Sequence, residues 1–109
     1  MTPAPSIPHA ETLLLQSLIT PTPGGIASRV LAKAAGGNVT LFAFDGGQGL
    51  TEHTTPYDAL VLVLEGRIVL TIGGKPVEAI PGSVVVMPGN VPHAVDASET
   101  SRMLLVMLK

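Results

Sequence analysis

From Ile26 onward the chain runs in short apolar segments, most of them closed by glycine, proline or asparagine. Ile26–Lys33 precedes Gly36-Gly37-Asn38, and Val39–Asp45 precedes Gly46-Gly47-Gln48-Gly49. Tyr57–Leu64, Arg67–Ile72, Lys75–Ile80, Ser83–Met87, Val91–Val95 and Arg102–Leu108 follow, with Gly73-Gly74, Pro81-Gly82 and Pro88-Gly89-Asn90 among the breaks. β-Branched runs between residues that accept positive or fixed φ predict strands and turns. Tyr57–Leu64 and Arg67–Ile72, joined by Glu65-Gly66, read as a tight hairpin. Even spacing with no helix between strands indicates an all-β sandwich or a closed antiparallel barrel. The runs Ala59–Leu64 and Met103–Leu108 do not alternate with polar residues, the pattern of strands buried on both faces.

Residues before this region follow a different pattern. Met1–Pro8 carries three of the chain's prolines among small residues and reads as an extended, partly disordered tail. Glu11–Ile19 is the one stretch patterned for a short helix, with Thr12 as its N-cap. Thr20-Pro21-Thr22-Pro23-Gly24-Gly25 ends it. The chain thus divides into an N-terminal tail and arm, 1–25, and a single β-domain, 26–109.

Composition changes the picture at one point. Charged residues make up 13% of the 109, about half of the usual quarter, while the apolar fraction of 46% is ordinary. A barrel with so little charge to cover its outside is expected to hide an apolar face against a second copy, as a homodimer. The six Lys and Arg form no stripe and are not interleaved with the three aromatics, so nucleic-acid binding has no electrostatic footprint. The chain has no cysteine, which excludes disulfides and thiolate chemistry and fits a cytoplasmic location. Its first basic residue is Arg29, so Leu13-Leu14-Leu15 lacks the charged flank of a secretory signal. No apolar run reaches the roughly 18 residues of a membrane helix, and no membrane association is expected.

Candidate chemistry rests on histidine. His9 lies in the proline-rich tail and reads as solvated. His53 is placed at the opening of a strand after the glycine-rich turn, and His93 follows Pro88-Gly89-Asn90-Val91-Pro92. Glu52 faces the side opposite His53, while Glu11, Glu78 and Glu99 have no partner legible in sequence. The Gly46–Gly49 turn lacks the Lys-Ser/Thr pair of a phosphate loop, and no serine sits in a nucleophile elbow.

Over roughly Gly47–Val95 this arrangement resembles the RmlC-like cupin superfamily. Gly47 and His53 stand at the spacing of the first cupin motif, and Leu64-Glu65-Gly66 supplies its closing turn. Gly82, Pro88 and His93 stand at the spacing of the second, with Asn90 in place of a glycine. Asn also accepts the left-handed conformation that such a position requires. The resemblance implies a single-domain cupin-type antiparallel β-barrel, a double-stranded β-helix or jelly roll, preceded here by a short N-terminal extension. It also implies that His53 and His93 meet in one interior pocket. Cupins that bind metal use a second histidine and an acidic residue in the first motif. Thr55 and Ala59 occupy those places here, and strand alternation turns the neighbouring Asp58 outward.

Three readings of the pocket stand side by side, and none assigns a catalytic residue. In the first it binds a small molecule, contacted by His53, Thr55, Tyr57, Met87 and His93, with Val61 and Val63 toward the floor and Val91 and Val95 beside His93. In the second the protein is a metal-dependent enzyme of the oxygenase or isomerase type. His53 and His93 then form an incomplete site for one divalent transition metal. In the third, one imidazole shuttles a proton without metal. The plainest account of the pair is two pocket imidazoles hydrogen-bonded to each other, to Thr55 or to water.

Overall fold

The computed structural model describes residues 7–109, which form an all-β, two-sheet antiparallel barrel. One sheet contains β1 (Ile26–Ala34), β2 (Gly37–Phe44), β4 (Asp58–Glu65), β7 (Val84–Met87) and β9 (Ser101–Leu108), in the order β1-β2-β9-β4-β7. The other holds β3 (Gly49–His53), β5 (Ile68–Ile72), β6 (Lys75–Ala79) and β8 (His93–Ala97), in the order β3-β8-β5-β6. Beyond β2 the chain steps repeatedly from one sheet to the other, so the two sheets face each other across a common core. Phe44, Val61, Val63, Ile68, Leu70 and Met103 fill it and are at most 1% exposed.

All the expected strands are present, but the expected hairpin at Glu65-Gly66 is not. β4 pairs with β7 and β9, whereas β5 pairs with β6 and β8. Gly66 adopts φ +83°, and a Cβ there would overlap the Ser101 hydroxyl and the Thr100 carbonyl. The chain therefore turns a corner against the start of β9 instead of folding back on β4. Ser101, fully buried, secures that corner: its Oγ accepts from the Arg67 N–H at 3.1 Å and donates to the Glu99 carbonyl at 2.8 Å. The Gly73-Gly74 turn does join a hairpin, β5 to β6.

The expected helix over Glu11–Ile19 reduces to one 3-10 turn, Leu15–Ser17, entered from Leu14 without a side-chain cap. So short a segment is marginal as a helix on its own, and the outer face of the larger sheet offers it more. Ile7, Leu15, Leu18 and Ile19 pack there with Leu31, Leu41 and Ala43. Past the turn, arginines donate to its carbonyls: Arg29 to Leu18 O at 3.0 Å and Arg102 to Ile19 O at 3.2 Å. Arg102 also pairs with Glu65. The tail reading for Met1–Pro8 falls largely on residues 1–6, outside the described residues; His9 is exposed.

The N-terminal segment covers only part of that face. On β4 the inward Ala59, Val61 and Val63 are buried, but the outward Leu60 and Leu62 are only half-buried. The expectation that this run is buried on both faces therefore fails within one chain. Cross-strand pairing sets Val86 beside Leu60 and Val84 beside Leu62, with Val106 on the far side of Leu60. Val84, Val86 and Leu108 are 57%, 55% and 50% exposed. An open apolar groove of about 300 Å³ continues the face between the β1–β2 turn and the end of β9. Among the described residues, no helix is long and apolar enough to cross a membrane.

Candidate functional site

The sheet register brings His53 and His93 together. β3 pairs with β8, and these two histidines are opposite one another across an irregularity between Leu50 and His53. A Cβ at Gly49 would overlap the Val95 carbonyl, so glycine is what admits this close approach. His53 closes β3 rather than opening a strand, because the strand begins at Gly49, inside the stretch that reads as a turn. The loop after β3 and the loop before β8 are also tied to each other. The Asn90 N–H donates to Thr55 O at 2.6 Å, and the Gly89 N–H donates to Asp58 Oδ1 at 2.8 Å. Asn90 takes the left-handed φ of +65° that its motif position requires. Asp58 points outward, as alternation implied, and holds the turn that leads to His93.

The two imidazoles meet edge to face, with centroids 4.4 Å apart and an interplanar angle of 69°. Their Nε2 atoms are 3.1 Å apart. His53 Nδ1 is 2.9 Å from Thr51 O, and His93 Nδ1 is 3.1 Å from Val91 O. A carbonyl oxygen only accepts, so each Nδ1 carries a hydrogen and donates it. In the neutral tautomers this leaves both Nε2 atoms without a hydrogen, side by side rather than head to head. Such a pair needs an electron-pair acceptor between or beside it, a proton or a cation. His93 is buried at 5% exposure while His53 is exposed, so the pair spans the boundary between core and solvent.

The pocket beneath them has a cavity volume of about 30 Å³. That holds a water or two, or an ion, and is far below the roughly 300–1,000 Å³ of a drug-sized site. Its lining includes both histidines, Thr55, Ala59, Val95 and three methionines, Met87, Met103 and Met107. Thr55 and Met87 are therefore where the sequence placed them. Tyr57 is not: it is 38% exposed outside the pocket, with Lys109 Nζ 5.8 Å from its ring centre. Residues 54–57 are a loop, so the alternation that carried Thr55 to Tyr57 does not hold across them. Val91 likewise precedes β8 and serves through its carbonyl, while Val61 and Val63 belong to the core below. Met103 and Met107 lay unremarked in the last strand, although their spacing of four puts them on one face.

Both ring N–H groups donating to carbonyls is the support that orients metal-bound histidines. Two nitrogens each about 2.0–2.1 Å from one ion stand roughly 3.0–3.4 Å apart, which accommodates the observed separation. The pair therefore fits as a two-point anchor. A complete site for a divalent ion is a different matter: among the described residues no group of three or more His, Cys, Asp or Glu is gathered to hold a metal. Glu78, without a partner in the sequence reading, pairs with Arg67 at 3.1 Å on the surface.

A jelly-roll barrel with two converging imidazoles inside it defines a class of small pocket proteins. The family model for the cupin domain matches residues 40–109, and the chain belongs to that family. It is similar in structure to a conserved protein of unknown function from Streptococcus pyogenes, at 34% identity and TM-score 0.90. That likeness covers all of this chain and 96% of the other. A cupin superfamily protein from Desulfitobacterium hafniense shares 27% identity at TM-score 0.88, with 98% of each chain covered. A Cupin 2 conserved barrel domain protein from Leptotrichia buccalis shares 35% identity at TM-score 0.82, over 86% of this chain and 46% of that one. Comparison with curated proteins finds no match.

Proposed function

We propose that this cupin binds one transition-metal ion at the Nε2 edges of His53 and His93 and offers it to a small molecule at the mouth of the barrel. The observation that carries the reading is the tautomer pair: both Nδ1–H groups are committed to the Thr51 and Val91 carbonyls, and the two Nε2 atoms stand 3.1 Å apart. A bound metal would supply an electron-pair acceptor there and a place for a donor atom of the small molecule. The cavity volume speaks against an organic ligand of sugar size inside the barrel itself. The exposed side of His53 gives such a molecule its access from solvent.

The residues of this chain hold, orient and partly screen the ion. Val95, Ala59 and Leu105 make the surroundings apolar, and the two carbonyls keep the rings from turning. The lining has no carboxylate and no cysteine, so it offers no carboxylate or thiolate nucleophile. Calorimetric titration of chelator-stripped protein with Zn²⁺, Ni²⁺ and Co²⁺ tests the reading. At least one ion should bind with one-to-one stoichiometry, and His53→Ala or His93→Ala should weaken it by about 100-fold or more. Equal binding by wild type and both variants would overturn it.

A further inference from the structure

Three of the chain's four methionines line the same small pocket as the two histidines, and the fourth is Met1. They reach it from two strands of the larger sheet. In the register of that sheet Ala59 is the direct partner of Met87 on one side and of Met107 on the other. Its methyl group leaves open the inner surface between two long thioether side chains, because direct cross-strand partners stand only about 4.5–5.5 Å apart. Met103 lies on β9 one inward position beyond Leu105, pairs with Val63, and is fully buried. Met87 is 3% exposed.

We infer that the ion suited to this pocket is cuprous copper, held by His53, His93 and at least one thioether from Met87, Met103 or Met107. The inference rests on the metal-binding reading above and assigns its metal. Its physical basis is the donor set. Imidazole nitrogen and thioether sulfur are neutral, and thioethers select soft Cu(I) over harder divalent ions. The lining has one oxygen-bearing side chain, Thr55, whose hydroxyl donates to Tyr57 O at 3.2 Å. A divalent ion here would keep its full double charge with no carboxylate in the lining to balance it, which is costly in an apolar setting. A monovalent ion carries half that charge. Cu(I) is also content with few ligands, whereas protein zinc sites take at least three protein donors. No electron transfer is part of the inference; the step is coordination, with nitrogen and sulfur lone pairs replacing those of the delivering chelator.

The test is an anaerobic competition for Cu(I) against bathocuproine disulfonate, read from the chelator's absorbance, with Zn²⁺ titrated in parallel. Wild type should retain one Cu(I). The triple variant Met87→Leu/Met103→Leu/Met107→Leu keeps volume and hydrophobicity and should bind Cu(I) at least tenfold more weakly with Zn²⁺ binding unchanged. His53→Ala should lower both. X-ray absorption at the copper edge of selenomethionine-labelled wild type gives a reading that does not depend on the variants folding, and a selenium scatterer beside copper is expected. Copper bound with nitrogen neighbours alone, or with affinity indifferent to the triple substitution, would overturn the thioether assignment and leave the histidine site standing. Failure to retain Cu(I) or any divalent ion would overturn both.

Discussion

His53 and His93 owe their geometry to two carbonyl oxygens that no substitution can remove, those of Thr51 and Val91. Because each backbone carbonyl dictates the position of one ring hydrogen, each Nε2 is left to accept. Acid supplies the competitor for those lone pairs, since metal binding releases protons. Binding of a divalent ion should therefore weaken as the solution is acidified across the range in which the protein stays folded, measured by titration at each pH. Affinity that did not change over that range would place the ion elsewhere. A second prediction concerns Ser101, whose buried hydroxyl satisfies the Arg67 N–H where the chain changes sheets. Ser101→Ala leaves that donor unpaired and should cost about 1–3 kcal/mol by denaturant unfolding. The histidine pair and Thr55 were legible as residues because the cupin spacing is local. Tyr57 was misplaced because the alternation rule was carried through a loop, where Pro56 and its neighbours follow no strand period.

At the scale of elements, the decisive connection is the one between β4 and β5. Glu65-Gly66 carries the signature of a hairpin, yet the strands it joins lie in different sheets. What decides the outcome is non-local: β4 finds β9 and β7 as partners, β5 finds β8 and β6, and Gly66 fits closely against Thr100 and Ser101. Sequence reports the turn but not which strand waits beyond it. Gly66→Ala combines a positive φ with overlap against backbone and should destabilise by about 2–5 kcal/mol, read as a lowered midpoint of unfolding. A variant as stable as wild type would mean the corner is looser than described. The N-terminal segment shows the same limit. Its apolar periodicity is real, but the surface of β1 and β2 and the side chains of Arg29 and Arg102 use those residues in place of a helix. Arg102→Ala should raise amide exchange in residues 15–20 while β5 and β8 stay protected, and uniform loss of protection would contradict that division.

For the molecule as a whole, the shortage of charge now has a location. The outer faces of β7 and β4, together with the end of β9, present Val84, Val86, Leu60, Leu62, Val106 and Leu108, with Asp58 at one end of the strip. A two-fold axis through this strip would set aliphatic side chains against their own copies, the self-complementary contact of an isologous dimer. A charged partner would find little there to pair with. The homodimer expected from composition therefore predicts sedimentation at twice the 11.2 kDa chain mass at micromolar concentration. Val86→Asp should shift it to the single-chain mass without loss of sheet structure. A sharp single-chain species from wild type would remove the expectation.

Long-range proton–nitrogen NMR of the histidine rings reads directly what lies between the two imidazoles. With the protein stripped of metal, both rings should report hydrogen at Nδ1. One equivalent of the bound ion should then shift both Nε2 resonances together while the Nδ1–H signals persist. Rings protonated at Nε2 in the neutral state, or Nε2 signals indifferent to every ion offered, would contradict the account.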